Sequence, residues 1–405
     1  MGLQKWDIVI VGGGLAGTSA ALEVCSNSNL SVVLVEKNKI GANNVTPAVC
    51  RKTITEFRLE ECILQEYKSF VHHGPLTASA KFTYEHPIFA SIDYEKACRA
   101  LIGRIKSNKP TVLQAEVFSC QPVTDIDRPL QITLKDGRIL ETKLLIDASG
   151  FSQWAAHQFH IRLSNLFSQC YGELLTGCVN EDFNSFRFLG PKQALGNGGG
   201  WYYPICANGA SMGFSVVTSE YEIVNQKLRD NYFVMKRIFK PYSDWASNSN
   251  RQRMEAGIVP INRIGRFVDN RVLIVGDAAG QAHGWMVEGC RPALFNGRLC
   301  GKTALEAFDK ERFDRSFLNT YEKSWNKINK ERFWRTMSVA EITWNRSDEM
   351  WDEFIRKISV LDPKLMLAVI LDNYTTPFHK VYAIIGYARR KSLKWIKTFI
   401  GCHYR

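Results

Sequence analysis

The chain has 405 residues, 45% of them hydrophobic, enough for a substantial core and two to three domains. Its formal net charge of +12 favours an anionic partner, such as a phosphate-bearing ligand or a membrane surface; no zinc-finger, helix-turn-helix or RNA-recognition signature supports nucleic acid. Eleven cysteines without a C-x-x-C pair read as reduced thiols in a cytoplasmic setting, and no secretory signal, myristoylation pattern or apolar run of roughly 20 residues is present.

The first element is DIVIV (7 to 11), a β-branched apolar run expected to form a strand buried on both faces. Gly12, Gly14 and Gly17 follow in G-x-G-x-x-G spacing, and a helix is expected over 15 to 24. Gly12 permits the tight turn, Gly14 lets a pyrophosphate approach the backbone, and Gly17 lets helix and strand pack closely. The helix start, at Leu15 and Ala16, offers N–H donors and positive dipole to the phosphates. A second strand, SVVLVEK (31 to 37), ends in Glu36 and Lys37. Glu36 stands where an acid accepts hydrogen bonds from the adenosine ribose and disfavours a 2′-phosphate.

Further on, ASIDYEKACRALIGRI (90 to 105) carries strand and helix patterns. DGRILETKLLIDASGF (136 to 151) reads as a strand returning to the Asp147-Ala148-Ser149-Gly150 turn. GNGGGWYYPICANGASMGFSVV (196 to 217) reads as a hairpin around Asn208-Gly209. Its aromatics, Trp201 and Tyr203, either wall an apolar substrate together with Pro204 or serve as core.

VLIVGDAAGQAHGWMVEGC (272 to 290) is a second strand-and-glycine turn, some 260 residues after the first. An NAD-only Rossmann domain has no use for it, whereas a flavin enzyme of the two-dinucleotide-fold type, gripping one extended cofactor at both ends, does. Asp277 is then expected at the ribityl chain of FAD, with Gly280, Val287 and Gly289 bringing backbone to the pyrophosphate and flavin ring. A helix over 288 to 305 directs its N-terminus at the flavin, favouring the negative charge of the reduced form. His283 and Trp285 lie in the same loop. Trp285 is expected at the substrate; His283 is either a proton donor or a hydrogen-bonded structural residue. Cys50 is either a flavin-side thiol or a buried structural one. His72-His73 and the other histidines show no metal spacing, so no metal is expected.

From about 311 the pattern turns helical, interrupted at Pro363 and Pro377. HKVYAIIGYARRKSLKWIKTFIG (379 to 401) reads as a basic amphipathic helix, suited either to an anionic membrane surface or to packing on the body.

The stretch Gly276-Asp277-Ala278-Ala279-Gly280, with Glu288-Gly289, Ala293 and Gly297-Arg298, resembles the geranylgeranyl reductase family, within the flavin monooxygenase- and halogenase-like superfamily. Trp201, Tyr203 and Pro204 match the end of that family's Y-x-W-x-F-P pattern. The chain departs at Val287, where the family has Gly, and at Tyr94, where it has Arg. The DASG turn at 147 to 150 is closer to the halogenase-like relatives than to NADPH-using hydroxylases. The resemblance implies an α/β fold: a discontinuous Rossmann-type FAD-binding domain (1–160 and 262–310, with a substrate-domain excursion near 46–90). An inserted antiparallel-sheet substrate domain (161–261) and a C-terminal helical region (311–405) complete it. Val117 is implied as a further cofactor neighbour. The implied activity is reduction of C=C bonds in a prenyl-type apolar or lipid-linked substrate. Hydride would come from reduced FAD, fed by an external donor such as NAD(P)H, ferredoxin or flavin. Two alternatives stand beside it: a monooxygenase or halogenase acting on an aromatic substrate, and a flavin-free prenyl-binding escort protein. The expected location is cytoplasmic, with the basic C-terminal helix as the candidate membrane contact.

Overall fold

A computed structural model describes residues 3–370 apart from 44, 123–126, 181, 191–195, 197, 220–224, 285 and 345. Trp285 and the basic helix expected over 379 to 401 therefore lie outside the described residues.

Three sheets organise the described chain. The first centres on the strand Gln4–Val11, flanked by Val32–Glu36 and Ile139–Asp147, with Thr111–Gln114 and Val272–Ile274 beyond them. All four of these pairings are parallel. Parallel strands are covered on both faces, which is why Ile8, Val9 and Ile10 are fully buried. Each such side chain contributes roughly 1.5–3 kcal/mol. An antiparallel extension, Val117–Cys120 and Leu130–Leu134, hangs on Ile139–Asp147.

The helix Leu15–Asn27 packs on a helix from far along the chain, Cys290–Asp309. Small residues make this close approach feasible. A Cβ at Gly297 would lie 2.5 Å from the Ala16 carbonyl oxygen, and one at Gly301 would lie 2.7 Å from Glu23 Cβ. Ser19 Oγ donates to the Leu294 carbonyl at 2.7 Å across the same seam.

The second sheet has the strand order Asn250–Pro260, Phe167–Thr176, Gly209–Thr218, Gly198–Cys206, Ser185–Leu189, Ser69–His73, Ser79–Thr83. Its pairings are antiparallel except that Ser185–Leu189 runs parallel to Ser69–His73. The hairpin read from Asn208-Gly209 is its centre. Strands from residues 69 to 83 extend the same sheet. A third, small sheet joins Ala48–Cys50, Phe89–Ile92 and Ile63–Tyr67. The combination of parallel nucleotide-type sheet, inserted antiparallel sheet and helical C-terminal part is the architecture expected from the sequence.

The C-terminal part forms the helices Arg315–Trp344, Asp348–Ile358 and Pro363–Ile370. The helical pattern breaks ahead of Pro363, as expected, and Pro363 opens the next helix, as its missing N–H and fixed φ allow at a first helical position; Pro377 lies outside the described residues. Asp352, 1% exposed, docks the helix Asp348–Ile358 on the second sheet. Its carboxylate accepts N–H bonds from Leu76 (3.0 Å), Thr77 (2.8 Å) and Ala78 (2.8 Å).

Candidate functional site

The two glycine turns meet. Strand Gln4–Val11 runs into Gly12 at φ +105°, a region open to glycine at little cost. A Cβ there would lie 2.2 Å from the Ala148 carbonyl oxygen, and one at Gly17 would lie 2.0 Å from the Gly12 carbonyl oxygen. Because Val272–Ile274 pairs with the strand ending at Asp147, the second turn arrives beside the first. Gly276, at φ +71°, approaches Ala16 so closely that a Cβ would stand 2.8 Å from the alanine methyl. Asp147 pins the turn between them, accepting from the Ser149 N–H at 2.9 Å and the Ala155 N–H at 2.8 Å.

One cavity of about 670 Å³ runs from these turns to the second sheet. Gly12, Gly14, Leu15, Ala16, Glu36 and Lys37 line one end. Asp277, Val287 and Gly289 line its middle, with Met286 and Cys290. Trp201 and Tyr203 line the other end, with Phe70, His72, Phe186, Phe188 and Trp351. The remaining sequence-derived positions stand behind this wall. Gly17 and Gly280 shape the turns, and a Cβ at Gly280 would meet the Asn262 carbonyl oxygen at 2.1 Å. Pro204 uses its carbonyl to accept from the Tyr67 hydroxyl at 2.7 Å. Val117 packs against the core of the first sheet. Cys50 is 4% exposed, and burial pushes its thiol upward, as for an inert structural cysteine.

The electrostatics divide along the cavity. Helix Leu15–Asn27 starts at Gly14, which has no side chain to cap it, and carries no acid in its first turn, so no negative charge of its own offsets its N-terminal dipole. Leu15 N–H donates to the Tyr94 hydroxyl at 3.2 Å, and burial pushes that phenol well above its ordinary value. Glu36 turns back on the glycine turn, accepting from Gly13 N–H at 2.8 Å and Asn38 N–H at 2.9 Å. The Asp277 carboxylate has no hydrogen-bond partner among the described residues, and burial raises it to about 6. At the aromatic end, burial lowers His72 to about 3, leaving it neutral.

His283 does not line the cavity. Its Nδ1 accepts from Met286 N–H at 3.2 Å and its own N–H donates to the Glu288 carbonyl at 2.9 Å, so the residue closes its loop. Burial lowers it to about 3; the neutral ring then carries its proton on Nε2, which has no partner among the described residues. Val287, the departure from the family's glycine, is held at φ +51°, a strained region for a β-branched residue. Sequence reasoning noted Tyr94 as a missing arginine contact and left out Thr46, Glu255 and the Phe70, Phe186 and Phe188 wall. The alternation Phe70-His72 and Phe186-Phe188 was the available signal, since strand residues two apart share a face. Among the described residues, no group of His, Cys, Asp or Glu could hold a metal ion, and no helix is long and apolar enough to cross a membrane.

Comparison with known proteins gives relatives for this geometry. Residues 7–173 match the family model described as lycopene cyclase protein. Over 402 aligned residues the chain is 25% identical to digeranylgeranylglycerophospholipid reductase 2 of Methanothermobacter thermautotrophicus, covering 92% of this chain and 97% of that protein. It is 22% identical to the chloroplastic geranylgeranyl diphosphate reductase of Arabidopsis thaliana, over 87% and 77% of the two chains. Among solved structures, a geranylgeranyl bacteriochlorophyll reductase-like protein from Thermoplasma acidophilum superposes with a TM-score of 0.79 at 17% identity, over 89% and 93% of the two chains. The flavin-dependent brominase Bmp2 superposes with a TM-score of 0.67 at 15% identity, over 92% and 99%. The resemblance read from residues 276 to 298 is thus borne out by relatives carrying reductase names, and the fold by both structures.

Proposed function

We propose that this chain is an FAD-dependent oxidoreductase that reduces carbon–carbon double bonds of a prenyl-type apolar substrate. The observation that carries the reading is the single cavity with nucleotide-type turns at one end and an aromatic wall at the other. The residues present fit FAD. Gly12 and Gly14 line the cavity as bare backbone, and a Cβ at either would press on the turn itself, against the Ala148 carbonyl oxygen at 2.2 Å or the Tyr94 hydroxyl at 3.0 Å. The acid-free start of helix Leu15–Asn27 suits a pyrophosphate, Glu36 a ribose, and the Asp277 carboxylate, which has no partner among the described residues, the ribityl hydroxyls. When bound, the reduced flavin supplies the hydride. The chain binds and orients: its Phe, Trp and Tyr wall receives an apolar chain, and the cavity limits water around the reacting carbon. The second hydrogen arrives as a proton from water or a side chain, and an external donor such as NAD(P)H, ferredoxin or reduced flavin supplies the electrons.

The test is direct. Purified protein is expected to be yellow or to take up FAD. The anaerobically reduced protein, incubated with geranylgeranyl lipids, is expected to reoxidise and yield a more saturated product detectable by mass. Flavin binding with no saturated product under any donor would overturn the substrate assignment. A colourless preparation that cannot be reconstituted would instead support the escort-protein alternative.

A second reading keeps the cofactor: a monooxygenase or halogenase acting on an aromatic or electron-rich substrate. The DASG turn and the aromatic wall favour it. Product formation that requires oxygen separates it from the reductase.

A further inference from the structure

The indole of Trp201 lies in a slot that the second sheet builds for it. Cross-strand register places Trp201 opposite Gly213, Gly213 opposite Gly172, and Gly172 opposite Glu255. One row across four strands therefore reads Trp, Gly, Gly, Glu. At about 4.8 Å per strand, the two large residues sit about 14 Å apart with two bare backbones between them. The ring fills that gap. A Cβ at Gly213 would stand 2.1 Å from Trp201 Cζ2, and one at Gly172 would stand 3.0 Å from the same atom. Trp201 lines the cavity, whereas Gly172 and Gly213 do not, so the flat ring is the floor there.

A directed hydrogen-bond chain holds the ring down. The indole Nε1–H can only donate, and it donates to Ser211 Oγ at 3.1 Å. The Ser211 hydroxyl proton therefore goes to Glu255 Oε2, at 2.6 Å. Glu255, 2% exposed, also accepts from the Thr46 hydroxyl at 2.6 Å and from Arg253 Nη2 at 3.0 Å. Arg253 Nη2 further donates to Thr46 Oγ1 at 2.9 Å. Thr46 lines the cavity too. The buried carboxylate thus joins the aromatic floor to the loop on the nucleotide side. Only an acceptor-only group completes the pattern. In Glu255→Gln, whichever way the amide faces, one hydroxyl loses its acceptor.

We propose that Glu255, acting through Ser211, is the positioning residue that keeps the Trp201 indole flat in the Gly213–Gly172 slot, and that this recessed ring sets the depth of cavity open to a long apolar substrate. The substrate clause rests on the prenyl reading above; the positioning clause does not.

Two measurements test it on the full-length protein. The first labels the chain with 5-fluorotryptophan, assigns the Trp201 fluorine resonance with Trp201→Phe, and records it in Ser211→Ala and Glu255→Gln. The resonance is expected to shift or split in both, and an unchanged resonance in both overturns the positioning role. The second measures the Kd for geranylgeraniol. Gly213→Ala, which forces the ring into the cavity, is expected to weaken binding about tenfold or more. Ser211→Ala, which only loosens the ring, is expected to weaken it severalfold. Wild-type affinity in both variants overturns the depth-setting role. A wild-type protein that binds no geranylgeraniol sinks the prenyl reading, while the fluorine spectra still decide the positioning claim.

Discussion

The two ends of the cavity use glycine for opposite purposes. At the nucleotide end, Gly12 and Gly17 clear space for backbone to pack on backbone, so that main chain itself lines the cavity. At the substrate end, Gly172 and Gly213 clear space for another side chain, so that an indole faces the ligand in place of backbone. The first arrangement is local: a strand, a turn and a helix start within some fifteen residues. The second is assembled from four strands whose members lie between residues 167 and 260. The nucleotide end should therefore fail through turn strain, and the substrate end through loss of long-range anchors.

The largest expected effect breaks the nucleotide end. Gly12→Ala combines a left-handed φ with a Cβ 2.2 Å from the Ala148 oxygen and should cost about 3 kcal/mol. Thermal unfolding and FAD titration should both register it; a variant with wild-type melting and wild-type FAD affinity would show that the turn does not cradle the ligand.

The next effect breaks the substrate end. Asp352→Ala strips the acceptor from three loop amides and should destabilise by about 2 kcal/mol in urea unfolding. Hydrogen bonds from those amides hold the Asp352 carboxyl below its ordinary value. A lowered folded-state value means that its contribution is complete above about pH 4 and is lost as pH falls through the folded value. Asp352→Asn should flatten the acid limb of the stability curve; an unaltered limb would dismiss the clamp.

The smallest effect sharpens the boundary between the two. Asp277 has the opposite sign: burial raises it to about 6, so the ligand-free protein loses stability as pH rises through that value. Water in the open cavity moderates the cost. Asp277→Asn should therefore stabilise ligand-free protein by about 1 kcal/mol at neutral pH, with no gain near pH 4, while weakening FAD binding. Equal melting temperatures for the two proteins at neutral pH would show that the carboxylate is better solvated than the geometry implies.

Legibility followed the same division. The turn at 12 to 17, Glu36, the returning strand and Asp277 were readable because each meaning depends on neighbours a few residues away, and their spacing survives folding unchanged. The hairpin around Asn208-Gly209 was readable for the same reason. His283 sat in the right loop, yet its ring is spent on closing that loop, a matter of side-chain direction that spacing does not encode. Tyr94 appeared as a missing arginine; only the fold shows its hydroxyl at the Leu15 amide.

By itself, the sequence determined the parallel nucleotide sheet, the paired glycine turns and the aromatic character of the substrate side, because buried strands and tight turns impose local residue patterns. Tertiary structure alone decided that Trp201 lies over two distant glycines, that a hydrogen-bond chain through Ser211 links it to Glu255, and that Asp352 pins the helix Asp348–Ile358 to the second sheet. Those contacts join residues up to 276 positions apart. Strand register and side-chain direction, set when the whole core packs, are what bring them together.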